Sequence, residues 1–434
     1  MYIPGGRRNT YLDPQQSYIR YTIKNNDTSV ASTSTVPGGM YLDNNGACVI
    51  NRLDVFHASN LLESIQSYNQ LMTIMLDTNI NSAQKLGLSS AYGTASTVQA
   101  GADISRKGAF INGTYYTGSA SASATGQLTI CMPVISGVFG LSADKMLPIG
   151  KLNDDIRLEF TFEQQNVAVV YQTTSASTSW TITDVQLELA IVELSDEGES
   201  MVNSVISPSH PIYLHGNSYR HYTSTLAAST SGGVSVLVPA RFGSLKSLFV
   251  CPRRAVETAG TYLPTSYTLS SRINPNFAQY WWRVGSALLP AKYVTLENAQ
   301  TTGGYAEAFM ELQKAFHSVS TPANASVLPA SIYNVSDAAT ILIAAQTGVN
   351  VAKGGTDVAT SNTSYLNGFL IGQELESFAN RSDILLSGYN TLSQQVFFEA
   401  QINNATSANS YTLNIFANYD HILVLDQGIL SVRF

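Results

Sequence analysis

Strict two-residue alternation in several short segments restricts the fold of this chain more than any other feature. From Ile156 to Phe162, Ile156, Leu158, Phe160 and Phe162 fall on one side of an extended backbone, and Arg157, Glu159 and Thr161 on the other. Successive side chains in a strand point to opposite faces, so this pattern buries one face and wets the other, as antiparallel sheets do. Val185, Leu187, Leu189 and Ile191 repeat it, as do residues 18–24, and residues 49–56 follow it in part. Between these runs lie Ser-, Thr-, Ala- and Gly-rich tracts at 29–36, 89–101, 117–126, 172–179, 227–233 and 352–364. Such residues supply no core but accept turn geometry, so the tracts read as surface loops, and the regular strand–loop spacing predicts sandwiches or barrels.

Two segments carry helical spacing instead. Over residues 60–76, Leu61, Ile65, Tyr68, Met72 and Met75 share a face, with Ser59 or Asn60 able to cap the start. Over residues 304–316, Tyr305, Phe309, Leu312 and Phe316 do the same. Each reads as a helix packed on a sandwich rather than a ligand groove. Tyr68 and Tyr305 are 237 positions apart, and nearly the same offset links Asp144 to Asp383, Gly150 to Gly388 and Phe160 to Phe398. Four ordered matches at one spacing predict an internal duplication, with a boundary near residues 200–211.

At 434 residues the chain exceeds what one core usually supports. Charged residues make up only 12%, which favours close packing of many copies over mutual repulsion. The net charge of −7 argues against direct nucleic-acid wrapping, since two Arg pairs, Arg7-Arg8 and Arg253-Arg254, do not replace a phosphate-neutralising arm. Cys48, Cys131 and Cys251 are odd in number and far apart, so no disulfide framework is expected; Cys131 and Cys251 read as small buried hydrophobes. Residues 1–10 have no apolar leader pattern and are expected to form a flexible arm; the run at 338–345 is too short to span a bilayer. Seven Asn-x-Ser/Thr triplets, starting at Asn26, Asn112, Asn324, Asn334, Asn362, Asn380 and Asn404, are read as chance products of composition.

Several stretches resemble the double jelly-roll major capsid proteins of icosahedral DNA viruses, most of all those of polinton-like viruses, adintoviruses and virophages. They are residues 11–21, Leu53 to Phe56 with the Tyr68 helix, residues 147–160, residues 274–280 with Leu289-Pro290 and 304–309, and residues 419–425. The resemblance implies an all-β fold of two tandem eight-stranded antiparallel jelly rolls, each with a short inserted helix. The arm would span 1–10, the first roll 11–205 and the second 206–434. It further implies homotrimeric, pseudo-hexagonal capsomers tiling a virion shell, minor capsid or penton partners, indirect contact with an internal membrane, and assembly in the host cytoplasm or nucleus. The chain is short for that group, so loops above the rolls are expected to be modest. Arg7 and Arg8 in the arm, and Tyr280, Trp281, Trp282 and Arg283, are the candidate oligomer contacts, because Trp, Tyr and Arg often anchor interfaces. A core position for at least one Trp is the competing reading.

The sequence holds no nucleophile elbow, phosphate loop, paired zinc-binding His or Cys-x-x-Cys, so no catalytic, cofactor or metal residues are expected. His210, His215 and His221 could gather on a hairpin to hold a metal or sense pH, but read more simply as linker and strand residues. Asp154-Asp155 could hold calcium, but read more simply as an exposed turn. A carbohydrate-binding or fibre-type β-sandwich is the alternative function, and a glycoside-acting enzyme a third.

Overall fold

A computed structural model describes residues 1–26, 40–94, 107–111, 126–140, 143, 145–171, 179–205, 211–254, 269, 272–296, 305–316, 328, 333, 368–376, 386–402 and 410–434. In the first half the strands are β1 (Tyr2–Ile3), β2 (Thr10–Asn25), β3 (Met40–Asp43), β4 (Ile50–His57), β5 (Asn60–Gln66), β6 (Lys107–Ile111), β7 (Gln127–Pro133), β8 (Ile156–Phe162), β9 (Val169–Tyr171) and β10 (Trp180–Glu193). In the second half they are β11 (Ile212–Leu226), β12 (Gly232–Val238), β13 (Leu245–Arg254), β14 (Phe277–Val284), β15 (Ala287–Thr295), β16 (Ile371–Glu374), β17 (Val396–Ile402), β18 (Tyr411–Asp426) and β19 (Ile429–Arg433). Helix α1 (Tyr68–Asn79) follows β5 and helix α2 (Asp196–Val205) lies between the halves. Helix α3 (Ala306–Ala315) follows β15.

The second half is a jelly roll in strand order. One sheet runs β11-β18-β13-β16 and the other β12-β17-β14-β15, with every described pairing antiparallel. The inserted helix leaves β15 and precedes β16. The first half repeats one of these sheets position by position: β1-β8-β4-β5 matches β12-β17-β14-β15. Its register fixes the duplication better than spacing does. Row Tyr2–Arg157–Phe56–Leu61 corresponds to row Leu237–Phe397–Arg283–Leu288. Both hairpins turn on two residues, with positive φ at Ala58 (51°) and Gly285 (58°), as tight hairpin turns demand. Leu158, not Phe160, is therefore the counterpart of Phe398, since each pairs with the strand residue three before the turn's first residue. Asp144 and Asp383 lie outside the described residues.

The rest of the first half departs from eight strands in two sheets. Among the described residues, β10-β2-β7 form one sheet and β6-β3-β9 another, so β2 takes the central place that β18 takes in the second roll. Shifts of register between Thr183 and Gln186, and between Glu188 and Ala190, bend the long β10–β2 pair.

Two expectations are corrected here. Residues 60–66 form β5 rather than the first turns of a helix, because Ile65 pairs opposite Leu53 and Glu63 opposite Val55. A bulge at Leu62 turns that side chain inward and leaves Leu61 about half exposed, so the helical spacing of Leu61 and Ile65 was a coincidence of a bulged strand. Nor is the amino-terminal segment a free arm. Tyr2 and Ile3 pair with Arg157 and Ile156, the Leu158 N–H donates to the Met1 carbonyl (2.8 Å), and Ile3 is fully buried. β1 supplies the strand that β12 supplies in the second roll. Ile3→Ala should therefore cost about 2–3 kcal/mol of stability, where a loose arm would cost nothing, measured by urea unfolding.

The apolar core is continuous through both rolls. It includes Tyr21, Leu53, Leu71 and Phe139 from the first half and Phe249, Tyr280, Trp282, Phe398 and Phe416 from the second.

Candidate functional site

The expected contact segment divides by strand parity. Tyr280 and Trp282 are fully buried, so they are core residues and cannot form an oligomer contact. Trp282 meets Phe398 edge-on, with ring centroids 5.1 Å apart. Trp281 and Arg283 lie on the outer face of the same sheet. There the Trp281 Nε1–H donates to Glu399 (2.5 Å), and Arg283 pairs with Glu399 (2.8 Å) and stacks on Phe397 (4.2 Å). The first roll repeats this arrangement with the partners exchanged: Arg157 lies over Phe56 (4.6 Å) and pairs with Glu159 (3.1 Å). Arg7 and Arg8 are exposed, but pair with Glu193 (3.0 Å) and Asp196 (3.6 Å) of the same chain. Tyr11 donates to Glu199 of α2 (2.8 Å), and burial with that carboxylate pushes the phenol up to about 12. So α2 holds the amino-terminal segment down.

The most built polar region is the junction where the two rolls meet. The β5 edge of the first roll packs on β11 and β19 of the second. Glu63, on β5, is buried and accepts from Ser136 Oγ, the Gly137 N–H (3.0 Å) and, across the junction, Ser218 Oγ. A buried carboxylate is tolerable only with such donors. Three histidines also bond across this junction. His57 Nδ1 accepts the Leu430 N–H (3.1 Å), and His421 Nε2 bonds the Leu62 carbonyl (2.9 Å). His221 Nδ1 faces Ser67 Oγ (3.4 Å), while its Nε2 meets Asn414 Oδ1 (3.1 Å). Near the end of α1, buried Asp77 accepts from Asn44 (2.9 Å), Lys85 (2.8 Å) and, across the junction, buried Arg272 (2.8 Å). Asp43 likewise accepts the Leu269 N–H (2.8 Å). No local motif marks these residues: each looks ordinary in sequence, and partners such as Asp77 and Arg272 lie 195 positions apart. Only the duplication gave a signal that two sheets must meet.

His57 and His221 make this junction sensitive to acid. Burial lowers the pKa of His57. Burial, opposed by the bond to Asn414 and helped by the Arg253 charge, lowers that of His221 to about 4. The unfolded chain binds these protons near pH 6.5, so the contribution is complete above that value and is lost as pH falls toward the folded pKa. His221 alone should remove about 3 kcal/mol of stability between pH 6.5 and 4. His221→Gln should flatten that part of the stability–pH curve, read by urea unfolding at each pH.

The metal reading of the histidines is not supported by their placement. His215 and His221 sit six residues apart on β11, about 20 Å along an extended strand. His210 lies outside the described residues. His215 Nε2 bonds Asp420 (2.6 Å), which also takes bonds from Ser244 and Lys246. Burial would raise the Asp420 carboxyl, but these three partners hold it below the usual range. Asp154 and Asp155 lie in an exposed turn, where Asp155 accepts the Gly5 N–H (2.9 Å). No group of three or more His, Cys, Asp or Glu among the described residues is arranged to hold a metal. Cys48 and Cys251 are buried thiols, and Cys131 is only half-buried, contrary to expectation.

No protein-family model matches the chain, and no curated protein matches it. Solved structures do. The Faustovirus major capsid protein is 9% identical over 98% of this chain and 87% of its own, with a TM-score of 0.52. PBCV-1 VP54, in a crystal structure fitted into a reconstruction of the virophage Sputnik, is 10% identical over 100% and 94%, at 0.51. The mavirus major capsid protein is 10% identical over 100% and 88%, at 0.50. At such identities the likeness shows the fold, which runs the length of the chain: two jelly rolls in tandem.

Proposed function

We propose that this chain is a major capsid protein whose copies associate in threes, giving six-sided blocks that tile an icosahedral shell. The end-to-end likeness in fold to viral major capsid proteins carries this reading. Two features of the chain support it. The rolls are locked together by buried polar bonds, as a rigid brick needs. The sparse surface charge suits dense packing of copies. On this reading the chain is a structural protein of the virion rather than an enzyme. Residues 11–205 and 206–434 act as its two wedges, and minor capsid or penton proteins complete the shell. The chain makes no direct sequence-specific contact with nucleic acid, and any internal membrane is met indirectly.

The test is mass measurement and negative-stain imaging of the purified full chain. Trimers, or particles built from them, are expected. A stable monomer under every assembly condition overturns the proposal, and glycan-array binding by that monomer would favour the carbohydrate-binding alternative.

A further inference from the structure

We propose that the side chains of Lys246 and Asp420 join in an amide bond that the folded second roll makes by itself, with Glu376 as the base. The groups meet along one sheet, β11-β18-β13-β16. Lys246 is on β13, Asp420 on the adjacent β18, and Glu376 just past the end of β16. The Lys246 ammonium lies 3.1 Å from Asp420 Oδ1 and 3.2 Å from Glu376 Oε1. The side chains of Lys246, Asp420 and Glu376 are 4%, 0% and 5% exposed. Asp420 is held at both oxygens: Ser244 Oγ donates to Oδ2, and His215 Nε2, from β11, bonds Oδ1 (2.6 Å). Ser387 Oγ donates to Glu376 (2.7 Å).

Each role in the reaction has an occupant. Glu376 takes a proton from the ammonium, and the amine nitrogen attacks Asp420 Cγ. Charge that gathers on Oδ2 in the tetrahedral intermediate meets the Ser244 hydroxyl, as in an oxyanion hole. The nitrogen gives up a second proton, the Cγ–Oδ1 bond breaks, and Oδ1 leaves as water carrying both protons. The sum is ammonium plus carboxylate giving amide plus water, so Asp420 reacts from its ionised state and nothing is oxidised or reduced. Two effects drive it. Adjacent strands hold amine and carboxylate in contact, which replaces a bimolecular encounter. The product also removes two charges from a site where each is costly to desolvate. Of the two carboxylates beside Lys246, Asp420 is the one bonded because it is fixed on a central strand. Glu376 keeps the Ser387 bond and gains the new amide N–H as a donor. The link closes the chain between β13 and β18 covalently, which limits the freedom of the unfolded state as a disulfide does.

The experiment is intact-mass spectrometry of the full chain, with fragment mapping of its proteolytic peptides. Circular dichroism first confirms that each protein is folded. Wild type is expected to be one water lighter than its sequence, with the peptides holding Lys246 and Asp420 joined. Lys246→Met is expected at its full sequence mass, and Glu376→Gln is expected to link at least about tenfold more slowly, read as the fraction lighter by one water after a fixed incubation. A folded wild type at full sequence mass overturns the proposal, whether or not the variants fold, and so does a missing water that maps to any other pair. A Glu376→Gln protein that links as fast as wild type overturns Glu376 as the base.

Discussion

Asp77→Ala is expected to destabilise the chain by about 3–5 kcal/mol, the cost of leaving buried cations without their counter-charge. The carboxylate sits between Lys85 and Arg272, and all three are almost completely buried. One partner comes from each roll, so the loss falls on the junction as well as on α1. The attraction itself is not the main quantity, because desolvation offsets much of it. The effect comes from the orphaned guanidinium and ammonium groups. A second variant separates these contributions. Removing the guanidinium as well, in Asp77→Ala with Arg272→Met, should recover part of the loss, because an apolar side chain of similar length fills the space without a charge to desolvate. Urea unfolding of the three proteins measures it. A double variant no more stable than Asp77→Ala alone would show that Arg272 has support from elsewhere.

Trp282→Ala is expected to cost about 3–5 kcal/mol, as removal of a buried aromatic side chain usually does. Its neighbour gives the control. Trp281 is half-buried on the outer face, where its indole nitrogen bonds Glu399, so Trp281→Ala should cost only about 1 kcal/mol. Thermal unfolding of the pair reads the difference. Similar losses from both would mean that the outer face of this sheet is covered in the isolated chain.

That contrast also shows what was legible in the sequence. Alternation along the first part of β8 was readable because one side of that strand is wet and the other dry, whereas β10, read the same way, leaves Val185 and Ile191 exposed and buries only Trp180. The same parity assigns Tyr280 and Trp282 to the core and Trp281 and Arg283 to the surface, yet four large side chains in a row hide it. β5 was misread because its bulge shifts the inward side chain from Leu61 to Leu62, which mimics a helical interval over a short window. Docking of the amino-terminal segment could not be read at all: Met1, Tyr2 and Ile3 are a run of only three apolar residues before Pro4, Gly5 and Gly6, and the partner Ile156 is supplied by distant chain. The junction was equally silent. Glu63, Asp77, His57 and His421 acquire their place in the junction from partners on the other roll, and no local pattern encodes a partner hundreds of positions away.

The distance along the chain between those partners has a consequence for how the protein is made. β1 is synthesised first but waits for β8, and β5 waits for His421 and Leu430. Contacts so remote are slow to form, and the unpaired strands are exposed meanwhile. A ribosome-bound or prematurely ended chain lacking β18 and β19 would therefore have no closed second roll and would miss the His421 and Leu430 contacts of the junction. The fold is thus complete only once the last strands of the chain have been made.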